Sequence, residues 1–163
     1  MTRLSLIKRK PKKTSLSALK KKAWKLCSLV IRQKKADHRG FVTCVSCGKV
    51  DHWKNMQTGH FMPKSLGLCF YFLEKNLNVQ CETCNIWKKE AAMIRYTIYM
   101  QETYGPNIVE ELEAYGRDNK GMKLYAADYE QMIEEYQSRL SVIERAQKWN
   151  LPYVPCYSDE EAV

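Results

Sequence analysis

The chain has 163 residues, 45% of them apolar, and a formal net charge of +9, which fits one domain of ordinary size with enough apolar material for a core. No stretch nears the ~20 apolar residues that span a bilayer; the longest, Leu68–Leu73, is far too short. No apolar core or small-residue cleavage site follows the basic start Met1–Lys13, so no membrane partner and a cytoplasmic location are expected.

The charge is unevenly placed. Residues 1–64 hold 17 Lys and Arg against 2 Asp and Glu, whereas residues 65–163 hold 10 against 16. A basic front half points to a polyanionic partner, because phosphates release counterions when they are neutralised.

Residues 1–15 read as a flexible basic arm, with Pro11 against helix. Ser15 or Ser17 caps a first helix that runs to about Lys35, with Leu19, Ala23, Leu26, Cys27, Val30 and Ile31 on one face. After a turn at His38-Arg39-Gly40, Phe41–Thr43 is a short strand leading into a first cysteine pair. Residues 49–61 form a strand or hairpin arm, a loop follows from Pro63 to Glu74, and residues 76–80 are extended. A helix beginning at Cys84 or Asn85 and ending near Thr103 is expected to bury Trp87, Ala91, Ile94 and Ile98. Gly105-Pro106 ends it and opens a short acidic helix to about Tyr115. The last helix, about Ala127 to Trp149, carries the stripe Tyr129, Ile133, Tyr136, Leu140 and Ile143, and an acidic tail over 151–163 follows.

The cysteines carry the strongest signal. Their number, 7, is odd, and no secretory signal precedes them, which argues against a disulfide scaffold. Cys44 and Cys47 stand two residues apart, as do Cys81 and Cys84. Each pair puts two thiolates on one tight turn, and two such turns supply the four soft ligands of a structural zinc. Gly48 provides the positive φ such knuckles often need. Cys27, Cys69 and Cys156 have no such partners and read as isolated core or surface thiols.

Between and after the pairs lie Gly59-His60, Pro63, Asn76, Asn85 and Lys88. The whole arrangement resembles the zinc-bearing HNH (His-Me finger) nucleases. That resemblance implies an α+β fold: a zinc-stabilised ββα-metal core over residues 16–104, with a leading basic helix, and C-terminal helices over 105–150. It also implies a role for each residue. His60 is the general base, Asn76 the amide that orients its ring, Asn85 a ligand of a catalytic magnesium or manganese ion, and Lys88 a phosphate contact. The blander readings of Asn85 as a helix cap and of Asn76 as a turn residue stay open. Gly59 stands where most such nucleases have Asp or His as a second cation ligand. Asp51-His52 looks like the missing pair but lacks the downstream proline and asparagine, so His52 is read as a decoy.

The runs Lys21-Lys22-Ala23-Trp24-Lys25-Leu26, Cys44-Val45-Ser46-Cys47-Gly48-Lys49, His52-Trp53-Lys54, Gly59-His60-Phe61-Met62-Pro63 and Gln80-Cys81 narrow the match. Together they resemble the lambda NinG (Rap) family of phage recombination proteins, in which glycine before the histidine is usual. The family implies a structure-specific DNA endonuclease in a bacterial host, cutting branched intermediates such as D-loops or Holliday junctions. Lys20, Lys21, Lys22, Lys25 and Lys64 are the expected DNA contacts, and the last helix could serve a homodimer. The alternative is a zinc-containing DNA-binding or branch-recognition protein that does not cut.

Overall fold

In the computed structural model, residues 14–149 are described. Residues 1–13 of the expected arm over 1–15, the tail over 151–163 and Cys156 lie outside them. The first helix, α1 (Leu16–Gln33), starts because Ser15 caps it: its Oγ accepts from the Ala18 N–H at 3.2 Å. It ends two residues before the expected Lys35.

Two antiparallel hairpins follow. In the first, β1 (Phe41–Thr43) pairs with β2 (Val50–His52); in the second, β3 (Gln57–His60) pairs with β4 (Leu77–Gln80). The register sets Gln57 opposite Gln80 and His60 opposite Leu77. Beyond β4 the chain makes a single π-helical turn, Thr83–Trp87, before α2 (Lys89–Tyr104), α3 (Ile108–Asp118) and α4 (Ala126–Lys148). Small sheets and packed helices make this an α+β fold.

The stripe of α4 is buried as its period predicts: Tyr129, Ile133, Tyr136, Leu140 and Ile143 pack against Leu19, Ala23, Cys27, Val30 and Ile31 of α1. For α2 the expected face is wrong. Trp87, Ile94 and Ile98 are 74%, 69% and 48% exposed, Ala91 is also exposed, and the buried residues are Ala92, Tyr96 and Met100. Both faces of this helix carry apolar side chains, so periodicity alone does not choose between them. The π turn ahead of the helix also breaks the phase counted from Trp87.

One partly buried ion cluster joins the end of α1, the loop before β4, and α4. Lys34 Nζ lies 2.7 Å from Glu74 Oε2, and Arg139 forks across both oxygens of that carboxylate. Burial by itself would raise the Glu74 pKa, but hydrogen bonds and charge from Arg139 and Lys34 outweigh it and hold it at about 2. A lowered folded pKa stabilises the protein fully above the ordinary value of 4.5 and loses that contribution as pH falls through about 2. Glu74→Gln should therefore cost about 3–5 kcal/mol at neutral pH, since Lys34 and Arg139 lose the carboxylate they share. The difference from wild type should shrink between pH 4.5 and 2. Denaturant unfolding at the two ends of that window checks this, and equal midpoints for both proteins at pH 7 would contradict it.

Candidate metal centre and active-site cavity

The thiol sulfurs of Cys44, Cys47, Cys81 and Cys84 all lie within 4.8 Å of one another. Cys47 Sγ and Cys81 Sγ are 3.7 Å apart. With Zn–S bonds of about 2.3 Å, tetrahedral geometry puts sulfurs about 3.8 Å apart, so the cluster has the size and donor set of a zinc cage. Four sulfurs leave no open position, which makes the site structural rather than catalytic. The first pair sits on a tight turn, closed by Gly48 N–H donating to the Cys44 carbonyl at 2.9 Å, with Gly48 at φ 75°. The second pair follows β4, where the Asn85 N–H donates to the Cys81 carbonyl at 3.0 Å. A bound metal would thus fasten the tip of the first hairpin to the end of the second and to the start of the helical segment carrying Asn85.

Beside this centre is a cavity of about 800 Å³, lined among others by Trp24, Ser28, His60, Lys64, Gln80 and Asn85. His60 is the last residue of β3 and half-buried. Trp24 of α1 stacks on its ring, with centroids 4.9 Å apart and planes 17° from parallel. His60 Nε2 is 3.1 Å from the Tyr71 carbonyl oxygen. A carbonyl can only accept, so Nε2 carries the proton and Nδ1 keeps a lone pair. Burial lowers the His60 pKa, the Tyr71 carbonyl opposes this, and nearby Lys64 lowers it further. The imidazole is therefore neutral near pH 7.

Asn76 does not take the place assigned to it. Its Oδ1 accepts from the Met62 N–H at 2.6 Å, and its Nδ2 donates at 3.0 Å to the carbonyls of both Met62 and Phe70. The Tyr71 carbonyl holds the histidine ring, and the fully buried Asn76 holds the backbone on either side: Met62 two residues after His60, and Phe70 next to Tyr71. Asn76 is thus a positioning residue acting through the loop. Asn85 lies in the π-helical turn, and its Nδ2 donates to Gln57 Oε1 at 2.7 Å, which leaves its Oδ1 toward the glycine beside His60.

A family model described as Bacteriophage Lambda NinG protein matches residues 1–146. The chain belongs to the NinG family. Membership points to a phage recombination-related protein. Comparison with curated proteins and with solved structures finds no match.

In this NinG-family chain the expected basic residues divide into two groups. Lys64 lines the cavity, and Lys20 Nζ and Lys64 Nζ stand 4.3 Å and 6.0 Å from the centroid of the Tyr71 ring, which packs beside His60. Lys21, Lys22 and Lys25 lie exposed along α1. Lys88 is exposed at the end of the π turn and is not among the cavity-lining residues. His52 is elsewhere: its Nδ1 accepts the Lys54 N–H at 3.2 Å and caps a 3₁₀ turn, while its ring packs over Gly40 and Trp53. Cys27 is sealed in the core, where burial pushes its thiol up to about 12 and makes it inert. Among the described residues no helix is long and apolar enough to cross a membrane.

Trp24, Gln57 and Gln80 line the cavity without having been singled out as its parts, and Tyr71 packs behind His60 and Trp24. Trp24 and Gln80 left a sequence trace, Trp24 in the run from Lys21 to Leu26 and Gln80 through its place directly before Cys81.

Proposed function

We propose that this protein is a metal-dependent, structure-specific DNA endonuclease that cuts branched recombination intermediates such as D-loops or Holliday junctions. The observation that carries the reading is His60: a neutral, half-buried imidazole fixed at Nε2 by the Tyr71 carbonyl, beside a cavity shared with Asn85. The β3–β4 hairpin and the helical segment after it supply the order of a ββα-metal nuclease core, with a zinc at the four cysteines as its brace.

In this reading Nδ1 of His60 takes a proton from water as the water oxygen bonds to phosphorus, and the P–O bond to the leaving sugar oxygen breaks as that oxygen takes a proton from solvent. Asn85 would hold a magnesium or manganese ion, which would supply charge neutralisation at the phosphate. Trp24 and Tyr71 hold the imidazole plane, Asn76 holds the loop that carries the Tyr71 carbonyl, and Lys20 and Lys64 attract the DNA backbone to the cavity mouth. Lys88 is a more distant phosphate contact. Lys21, Lys22 and Lys25 extend the basic track along α1 and would engage a second arm of a branched substrate.

A second reading, a branch-recognition protein that binds without cutting, is favoured by one fact: no Asp or Glu is among the residues lining the cavity. Incubation of the zinc-loaded protein with linear, flapped, three-way and four-way DNA in magnesium or manganese separates the two. Nicks confined to branched DNA are expected. Tight binding of every branched form with no nick in either cation would decide for the second reading.

A further inference from the structure

Gly59 has no left-handed backbone to explain it, since it lies in β3 and is not among the positive-φ glycines. What it lacks is room. A Cβ placed there would lie 1.8 Å from Gln80 Oε1 and 3.1 Å from Asn85 Oδ1. Two amide oxygens, from β4 and from the π-helical turn, therefore converge within 3.1 Å of one point next to His60. Both side chains are aimed by their other ends. Gln80 Nε2 donates to Ser46 Oγ at 2.7 Å, inside the first cysteine turn, and Asn85 Nδ2 donates to Gln57. Neither oxygen accepts a hydrogen bond from another described residue, and both residues line the same cavity.

We infer that Gln80 is the second protein ligand of the catalytic cation, filling the place that a side chain at position 59 would hold. This rests on the nuclease reading above, which puts a cation at Asn85. Hard divalent cations take carbonyl-type oxygens of amides as ligands, and magnesium and manganese keep several waters beside one or two protein groups. The glycine and the glutamine are one device: the carboxamide enters only because position 59 has no side chain. Neutral ligands bind a cation weakly on their own, so the DNA phosphate completes the site and cation affinity rises when DNA is present. The zinc turn has a second role here, since Ser46 between Cys44 and Cys47 sets the direction of the Gln80 amide.

Manganese binding by the full-length, zinc-loaded protein, followed by water-proton relaxation without DNA, tests this apart from activity. Gln80→Glu keeps the shape and presents a carboxylate oxygen to the same point, with the Ser46 hydroxyl turning to donate. Affinity should rise at least about tenfold, the scale on which even outer-shell partners act. Gln80→Ala should lower it by a similar factor. Gly59→Asp should lose affinity alone, by displacing Gln80, and regain it when combined with Gln80→Ala. Should the alanine variant fail to fold, judged by zinc content, the glutamate variant decides. Affinity unchanged in Gln80→Glu but reduced in Asn85→Ala overturns the role of Gln80 and leaves the cation at Asn85. Affinity unchanged in both overturns the inference together with the nuclease reading of this site.

Discussion

Replacing His60 with alanine should slow DNA cutting by about 10²–10⁴-fold, the usual contribution of a general base. DNA affinity and zinc content should stay near wild type, because the base acts in the transition state and lies outside the thiol cluster. His52→Ala is the matched control. It removes a turn cap on a 3₁₀ segment away from the cavity, so its effect should be on stability and small. Single-turnover rates of the two proteins resolve the contrast, and equal losses at both histidines would undo the choice of base. The pH profile adds a second reading. Burial, then Lys64, lowers the His60 pKa, so the neutral base persists below the ordinary imidazole value of 6.5 and activity falls as pH drops through the lowered value. Lys64→Ala removes one of the opposing charges and should move that acid limb upward when measured at saturating DNA.

Loss of zinc should have the largest effect on the fold. Structural zinc contributes about 10–16 kcal/mol of apparent binding free energy in small zinc domains, and that energy is available to folding only while the site is intact. Three of its four cysteines, Cys44, Cys81 and Cys84, sit in a small core with Val42, Met56, Val79 and Ala92. Without the metal, that small cluster, the Val45 N–H to Val79 carbonyl bond and the Gln80–Ser46 bond are what tie the first hairpin to the second. Chelation should therefore release hydrogen-exchange protection over β1 to β4 and the π turn, while the α1–α4 pair, with its own larger core, loses less. Cys44→Ser should abolish stoichiometric zinc and give the same pattern. Elemental analysis finding no zinc in the purified protein, or a Cys44→Ser protein with metal and protection intact, would contradict the assignment.

Much of this was legible in the sequence where the signal was local or strongly periodic. The two cysteine spacings placed the thiols, the Ser15 cap placed the start of α1, and the stripe from Tyr129 to Ile143 placed the buried face of α4. What was not legible depends on contacts between segments far apart in the chain. The face of α2 is chosen by Tyr96 and Met100 packing with Phe61, Phe70 and Ile108, which no period within α2 reveals. Asn76 was recognisable as a residue of interest, but its hydrogen bonds run to carbonyls delivered by the folded loop, and the Tyr71 carbonyl that holds His60 carries no side-chain identity to read. Gly59 looked like a missing ligand until the Gln80 amide was seen to occupy its space.

The proposed activity is the cutting of branched DNA by His60 and a divalent cation. Its most direct test is to form the complex of zinc-loaded wild-type protein with a labelled four-way junction in the absence of magnesium and manganese, and then to add manganese. The account predicts that strand scission begins on addition and proceeds in a single turnover, and that the His60→Ala complex, bound to the same extent, stays uncut. A wild-type complex that remains bound and whole after manganese or magnesium is added, with its zinc in place, would contradict it.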